Sequence, residues 1–434
     1  MSSTIERVQV QLGRRYRQYR DILNAEGRRG VTDRIRTAVA GSLAPRTAMM
    51  PVNRQDVLAA DLSRPIHRAI PEIVPGPPLS VNWVTTPAGR GSGGHTTLFR
   101  MVNYLEANGY RNRVYFYDVY RGDHQYYESI VRDYYGFKGQ VGRVEEGLED
   151  AHAVVATGWP TAYPVFNSRC TGKRFYFVQD FEPFFFPAGA FSLLAENTYR
   201  MGFHGITAGR WLAQKLSEDF GMAADSFDFG CDTAHYKLLP KSRRSGIVFY
   251  ARQEAARRGF ELGIMALEIF AARHPEIDIH LYGEKVGKLP FRFIDHGRVS
   301  PAELNLIYNQ CYAGLSLSLT NVSLVPHEML AAGCIPVVND GVQNRIVLDN
   351  PLVHYVPPYP EAMAAELESV MTSDDFDSLS RAASGSVSLT TWDDAGAKVD
   401  EILRRVLSAA NGEYNKFPLI EKTAEEREPA KIQN

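Results

Sequence analysis

Cysteine is scarce in this chain, and its distribution excludes more than its number does. The four thiols, Cys170, Cys231, Cys311 and Cys334, form no CxxC pair and have no histidines at zinc-ligand spacing. A structural zinc site and a disulfide framework are both excluded, and a reducing compartment is the expectation. No run of about 18 uncharged apolar residues occurs, and the N-terminus has no apolar segment followed by a cleavage site. The expectation is a chain that neither spans a membrane nor is exported. Charge of one sign is also missing: 48 basic residues meet 50 acidic ones, so the chain as a whole has no field that would attract nucleic acid. What is present is 44% apolar residues over 434 positions, enough for two globular domains with sizeable cores plus additional segments.

The balance fails locally. Residues 1–70 hold thirteen arginines, no lysine and six acids. Ile5, Val8, Leu12, Tyr16, Tyr19 and Leu23 recur there at three- and four-residue steps, the spacing of an amphipathic helix. Such a basic helix either packs its stripe on the protein body or lies on an anionic membrane face. The proline-rich stretch 53–78 follows and reads as a linker or strap.

From Leu79 the pattern alternates. A strand over 79–85 enters the glycine loop Ala88-Gly-Arg-Gly-Ser-Gly-Gly-His95, and a helix follows through Leu98, Met101, Val102 and Leu105. Further strands are expected at 113–118, 153–157, 175–179 and 203–207. After a loop-like stretch the alternation restarts, with strands at 246–250, 277–282, 313–317 and 335–339 separated by helices. Two doubly wound units in tandem follow, so the fold class is α/β. The expected organisation is a basic extension and linker (1–78), a Rossmann-like domain (79–228), a hinge (229–245), a second Rossmann-like domain (246–390), a closing helix packing back toward the first domain (391–411) and a charged tail (412–434).

The glycine loop admits several readings, because glycines at a strand-to-helix turn let a phosphate, a sugar or a neighbouring backbone approach. One is a dinucleotide site, with Asp118 twenty-four residues beyond Gly94 as the ribose-binding acid. The second half offers a stronger phosphate site. Arg252 follows one strand and Arg257-Arg258-Gly259 precedes a helix, so guanidinium groups and a helix N-terminus converge on one anion. The segment from Ser316 to Glu328 is a strand, a small-residue loop and a helix with a carboxylate in its first turn. Backbone N–H groups at Ser323, Leu324 and Val325 can meet a phosphate while Glu328 accepts from ribose hydroxyls, or Glu328 serves only the helix dipole.

The run Glu-Met-Leu-Ala-Ala-Gly-Cys-Ile-Pro-Val-Val within 320–338 resembles the nucleotide-sugar signature of the retaining glycosyltransferases of family 4, which have the GT-B fold. Arg252 and Arg258-Gly259 resemble that family's diphosphate clamp, with arginine in place of lysine. Gly230-Cys-Asp232 with Tyr236 resembles its hinge, and Gly93-Gly94 its N-domain glycine loop. Within the family, Ala156-Thr-Gly-Trp-Pro-Thr-Ala162 and Phe177-Val-Gln-Asp-Phe-Glu-Pro183 are similar to bacterial rhamnosyltransferases that build surface-layer and cell-wall rhamnan. The resemblance implies a dTDP-β-L-rhamnose donor, a growing glycan acceptor that is lipid-linked in some systems, retention of anomeric configuration, and no metal or cofactor beyond the nucleotide sugar. It places Gly93, Gly94, Arg252, Arg258, Asn321, Ser323, Leu324, Val325 and Glu328 at the donor. The expected location is the cytoplasm, with peripheral membrane contact through residues 1–40.

One departure stands out: the family pattern has a second glutamate eight positions before Glu328, where this chain has Thr320. Thr320 therefore enters the candidate catalytic set beside Asp180, Glu182 and His95. Asp180-Phe-Glu182 follows a strand end, and three readings are open: acceptor-side residues that orient or deprotonate a hydroxyl, structural residues, or metal ligands. His95 touches donor or acceptor, or caps its helix. Two rival functions remain from the residues alone, a nicotinamide-dependent oxidoreductase and a non-catalytic nucleotide- or glycan-binding protein.

Overall fold

Strands made of continuous apolar runs need cover on both faces, and here they form two all-parallel sheets flanked by helices. The computed structural model describes residues 50–64, 68–73, 78–240, 243–387 and 391–414, and nearer the N-terminus residues 20, 23, 27–40 and 42–43. The first sheet contains β1 (Ser80–Thr85), β2 (Arg111–Phe116), β3 (Gln140–Arg143), β4 (Ala153–Ala156), β5 (Lys173–Val178), β6 (His204–Ala208) and β7 (Ala224–Phe227). Their order is β3-β2-β1-β4-β5-β6-β7. The second sheet contains β8 (Gly246–Ala251), β9 (Asp278–Gly283), β10 (Ile294–Asp295), β11 (Cys311–Ser316), β12 (Ile335–Asn339) and β13 (His354–Val356), ordered β10-β9-β8-β11-β12-β13.

In both sheets the winding direction reverses once, between β1 and β4 and between β8 and β11. Beyond the carboxyl ends of strands at such a reversal the connecting helices diverge and leave a crevice, the usual ligand position of open α/β sheets.

Each sheet has its own core. Around the first, Trp83 and Phe177 are fully buried, Phe177 stacks on Phe227 at 5.4 Å, and the Trp83 indole N–H donates to Asn112 Oδ1 at 3.0 Å. Around the second lie Phe249, Phe270, Tyr308 and Met329. The helix Trp392–Tyr414 leaves the second domain and packs Val399, Ile402, Leu403 and Leu407 into the first core. Gly230 permits that crossing: a Cβ there would lie 2.5 to 2.7 Å from the backbone of Thr391 and Trp392.

The stretch expected to be a linker or strap is packed on the first domain. Val52 is buried, Tyr117 Oη donates to Asp56 at 2.6 Å, Asn167 donates to the Asp56 carbonyl at 2.8 Å, and the Gly172 N–H donates to the Ala69 carbonyl at 2.6 Å. Within it Arg54–Ala59 is a short helix.

Residues 1–51 are a unit of their own. Of the apolar stripe expected there only Leu23 is described, and Ile5, Val8, Leu12, Tyr16 and Tyr19 lie outside the described residues. The described stretch 27–40 is helical, with Ile35 and Val39 exposed. Residues 415–434 of the tail also lie outside the described residues. Among the described residues no helix is long and apolar enough to cross a membrane.

Asp375 caps the helix Phe376–Ser386 by accepting the Ser378 N–H at 3.2 Å.

Candidate active site

The two crevices open onto one cavity of about 1030 Å³, walled by both domains. On the second-domain side β8 ends at Ala251, and Arg252 projects into the wall, held by Glu284 at 2.8 Å and by the Tyr250 hydroxyl at 3.2 Å. Gly259 takes φ +59° to start the helix Phe260–Arg273, and a Cβ at this position would press on Leu317. That turn fixes Arg258, whose Nη1 donates to Ser318 Oγ at 2.7 Å and to the Asn321 carbonyl at 3.3 Å. Burial pulls the Arg258 pKa down, but a guanidinium stays charged in any protein setting. Arg252, paired with Glu284, and Arg258, bonded only to neutral oxygens, thus both face the cavity.

Glu328 sits in the first turn of the helix Val325–Ala331, on the same wall. Burial pushes its carboxyl up to about 7, opposed by a 3.4 Å hydrogen bond from Tyr308 and by the positive charge of Arg100. Tyr308 shares a 2.6 Å hydrogen bond with Tyr282, so a buried phenol pair stands behind the carboxyl. Ser323, Leu324 and Val325 complete the wall, and Ser323 Oγ is buried without a protein partner. An orphaned hydroxyl at this point is available to a polar ligand.

On the first-domain side β1 ends at Thr85 and the glycine loop leads into the helix Gly93–Ala107, with Gly93 and Gly94 on the wall. No protein atom lies within 4 Å of a Cβ built at Gly93. His95 Nε2 lies 3.2 Å from the Thr86 carbonyl, and Nδ1 lies 2.9 Å from Ser92 Oγ. A carbonyl only accepts, so Nε2 carries the proton and Nδ1 accepts from the serine. Burial lowers the His95 pKa, which keeps the ring neutral.

Next to it β4 ends at Ala156 and the turn Thr157-Gly158-Trp159 opens the helix Trp159–Asn167. Glu182 fastens that turn by accepting the Trp159 N–H at 2.5 Å and the Tyr176 hydroxyl at 3.2 Å. Burial pushes the Glu182 carboxyl up to about 7 although the Trp159 N–H pulls it down. Asp180 is equally engaged: Oδ1 accepts from the N–H groups of Phe181 and Asn321, both at 2.9 Å, and Oδ2 faces Arg257 at 3.4 Å.

The structure thus brings Gly93, Gly94, His95, Asp180, Glu182, Arg252, Arg258, Ser323, Leu324, Val325 and Glu328 onto one cavity wall. Two expected residues are not on it. Thr320 is buried with its hydroxyl unpartnered, because the 316–328 loop turns its side chain into the domain. Asn321 points away from the donor crevice, and its amide donates to the carbonyls of Gln179 at 2.9 Å and Ala208 at 3.0 Å in the other domain. Asp118, the acid of the dinucleotide reading, also lies elsewhere. Its oxygens accept the N–H groups of Tyr120 at 3.0 Å and Gly122 at 2.6 Å and close a local turn.

The sequence reading missed Tyr134, Tyr282, Arg298, Val299 and Leu304, all on the wall. None belongs to a glycine loop or charge pair, so no local signal marked them. Among the described residues no three His, Cys, Asp or Glu side chains gather to hold a metal ion.

Residues 245–368 match the family model of the WsaF C-terminal domain. This WsaF-like segment carries Arg252, Arg258 and Glu328. A curated relative, the O-antigen biosynthesis protein RfbC of Myxococcus xanthus, is 30% identical over 358 residues, which is 76% of this chain and 27% of that protein. The chain therefore spans about a quarter of that relative's length.

Sucrose-phosphate synthase from Thermosynechococcus elongatus superposes with a TM-score of 0.59 at 12% identity, over 76% of this chain and all 100% of that one. Anabaena HepE, solved with UDP and glucose, gives 0.57 at 13% identity, over 75% and 100% of the two chains. WaaG, a glycosyltransferase involved in lipopolysaccharide biosynthesis, gives 0.56 at 12% identity, over 74% and 99%. These likenesses, with the two parallel sheets, show the GT-B fold of glycosyltransferases.

Proposed function

We propose that the chain is a glycosyltransferase of bacterial surface-glycan synthesis that moves L-rhamnose from dTDP-β-L-rhamnose to a growing glycan, with retention and without a metal. The observation that carries the reading is one cavity shared by two switch-point crevices, with the preoriented cations Arg252 and Arg258 on the second-domain side. A nucleotide sugar fits this polarity, its diphosphate between the arginines and its ribose hydroxyls on Glu328. The O-antigen role of the RfbC relative supports the glycan, and the WsaF-like segment supports the donor domain.

In the reaction the bond from the anomeric carbon to the diphosphate oxygen breaks, an acceptor hydroxyl oxygen bonds to that carbon, and the hydroxyl proton passes to the departing diphosphate. The negative charge grows on the departing diphosphate. Arg252 and Arg258, already oriented by Glu284, Tyr250 and Ser318, meet that charge without reorganising, which is where electrostatic catalysis is strongest. The first-domain wall of Gly93, Gly94, Trp159 and neutral His95 offers close backbone approach and an aromatic edge to a sugar. Enclosing both substrates between the domains excludes competing water.

Incubation with dTDP-β-L-rhamnose and a rhamnan oligosaccharide, followed by mass spectrometry and NMR of the anomeric proton, tests this directly. A rhamnosylated product with the donor's anomeric configuration is expected, unchanged by EDTA. Turnover of UDP- or GDP-sugars instead would keep the fold and discard the sugar, and donor binding without turnover would favour a binding protein.

A further inference from the structure

We infer that Asn321 and Asp180 form a latch across the cleft that couples the diphosphate-binding arginine to the acceptor half, and that Asp180 is a positioning residue, not the base that takes the acceptor proton. The inference rests on the glycosyl-transfer reading for its kinetic consequences but not for its geometry.

Asn321 is fully buried in the second domain, yet both hydrogens of its side-chain amide go to the first domain. They reach the carbonyls of Gln179 and Ala208, at the carboxyl ends of β5 and β6. Its backbone N–H goes to Asp180 Oδ1 at 2.9 Å, again across the boundary. Asp180 Oδ2 answers with Arg257 of the second domain at 3.4 Å, and that guanidinium lies over the Phe185 ring of the first domain at 4.3 Å. On its own side, the Asn321 carbonyl accepts from Arg258 at 3.3 Å. One peptide unit and one amide therefore touch the diphosphate-binding arginine at one end and two strand ends of the acceptor domain at the other.

This wiring has two consequences. First, both Asp180 oxygens are occupied, so using one as a base would leave a buried N–H or the Arg257 guanidinium without its partner. Second, if the latch loosens, Arg258 keeps Ser318 and the donor domain stays intact, but the acceptor wall loses its fixed position relative to it. Small misplacements of reacting groups cost about 10²-fold in rate. Binding of the nucleotide alone is spared, because the nucleotide's own contacts lie in the second domain.

The test uses Asn321→Ala and Asp180→Asn in the full chain, with four readouts: nucleotide Kd, transfer kcat, donor hydrolysis by water, and radius of gyration by small-angle scattering. Asn321→Ala should keep the dTDP Kd within about twofold, lower transfer about 10- to 100-fold, raise the ratio of hydrolysis to transfer, and enlarge the radius of gyration. Asp180→Asn retains an acceptor oxygen for the Asn321 N–H, so it should lose less than about tenfold, whereas loss of a general base removes about 10²–10⁴.

A loss above about 10³ in Asp180→Asn with normal transfer in Asn321→Ala would overturn the latch and restore the base. Nucleotide affinity falling in Asn321→Ala in step with transfer would also overturn it. If Asn321→Ala does not fold, Asp180→Asn still separates the two roles by magnitude. A wild-type chain with neither transfer nor hydrolysis would remove the glycosyl-transfer reading and leave scattering to judge the latch alone. Equal radii for wild type and Asn321→Ala would then contradict it.

Discussion

The two crevices of this molecule have the same topology and opposite chemistry. The second-domain crevice presents four guanidinium groups, Arg252, Arg257, Arg258 and Arg298, with a proton-poised carboxyl and an orphaned serine hydroxyl. Across the cavity stand glycines, a neutral histidine, an indole, and carboxylates already committed to backbone N–H groups. A parallel sheet that reverses its winding supplies the crevice in either case, and side-chain charge then decides which ligand enters. A cluster of fixed cations selects a diphosphate, while a wall whose only cation is the exposed Arg90 and whose carboxyl groups are already engaged suits a sugar with hydroxyls and C–H faces as its handles.

The largest break in this contrast should come from Arg258→Ala. Removing a buried, preoriented cation from a diphosphate costs a charge-assisted pair of about 1.5–3 kcal/mol per hydrogen bond, so dTDP affinity should fall at least about 100-fold in calorimetry.

Glu328→Gln comes next, and its effect is on stability. Burial raises Glu328 from 4.5 to about 7, so the folded chain keeps a proton that the unfolded chain releases between those values. Native stability therefore falls as pH rises through that window, and tenfold in proton affinity is worth about 1.4 kcal/mol. The ligand-free variant should melt above wild type at about pH 8, by an amount equal to about 1–3 kcal/mol, and approach it at about pH 5. A variant less stable at both pH values would mean that the carboxyl is well solvated.

Trp159→Ala sharpens the contrast from the other side: acceptor KM should rise about 2- to 10-fold, the worth of one aromatic face, with dTDP affinity unchanged. The smallest effect belongs to His95→Gln. Because the ring is already neutral, the pH profile of transfer between about 6 and 8 should keep its shape, and only the helix start should weaken, by about 1 kcal/mol.

Much of this contrast is legible in the sequence, and the parts that are not share a cause. The interior strands announce themselves by continuous apolar runs such as Ile247-Val-Phe249, whereas β3, β7, β10 and β13 escape notice, and these four are the sheet edges. An edge strand is covered less and pairs on one side only, so Gln140–Arg143 carries no apolar run to read. The arginines and Glu328 are legible because strand, turn and helix follow each other within one short segment. Asn321 is not, since its partners Gln179 and Ala208 lie more than a hundred positions away and only the docking of two domains brings them together. Thr320 was singled out by a pattern in the chain, but the turn of the loop buries it.

The most direct test of the central claim, that the nucleotide belongs to the second-domain crevice, is a dTDP thermal-shift titration of wild type, Arg258→Ala and Trp159→Ala side by side. Wild type and Trp159→Ala should gain equal stability, about 2.7 kcal/mol at a hundredfold excess over Kd, while Arg258→Ala gains none at the same concentration. Stabilisation that survives in Arg258→Ala and disappears in Trp159→Ala would contradict the account and move the nucleotide to the glycine-loop crevice of the first domain.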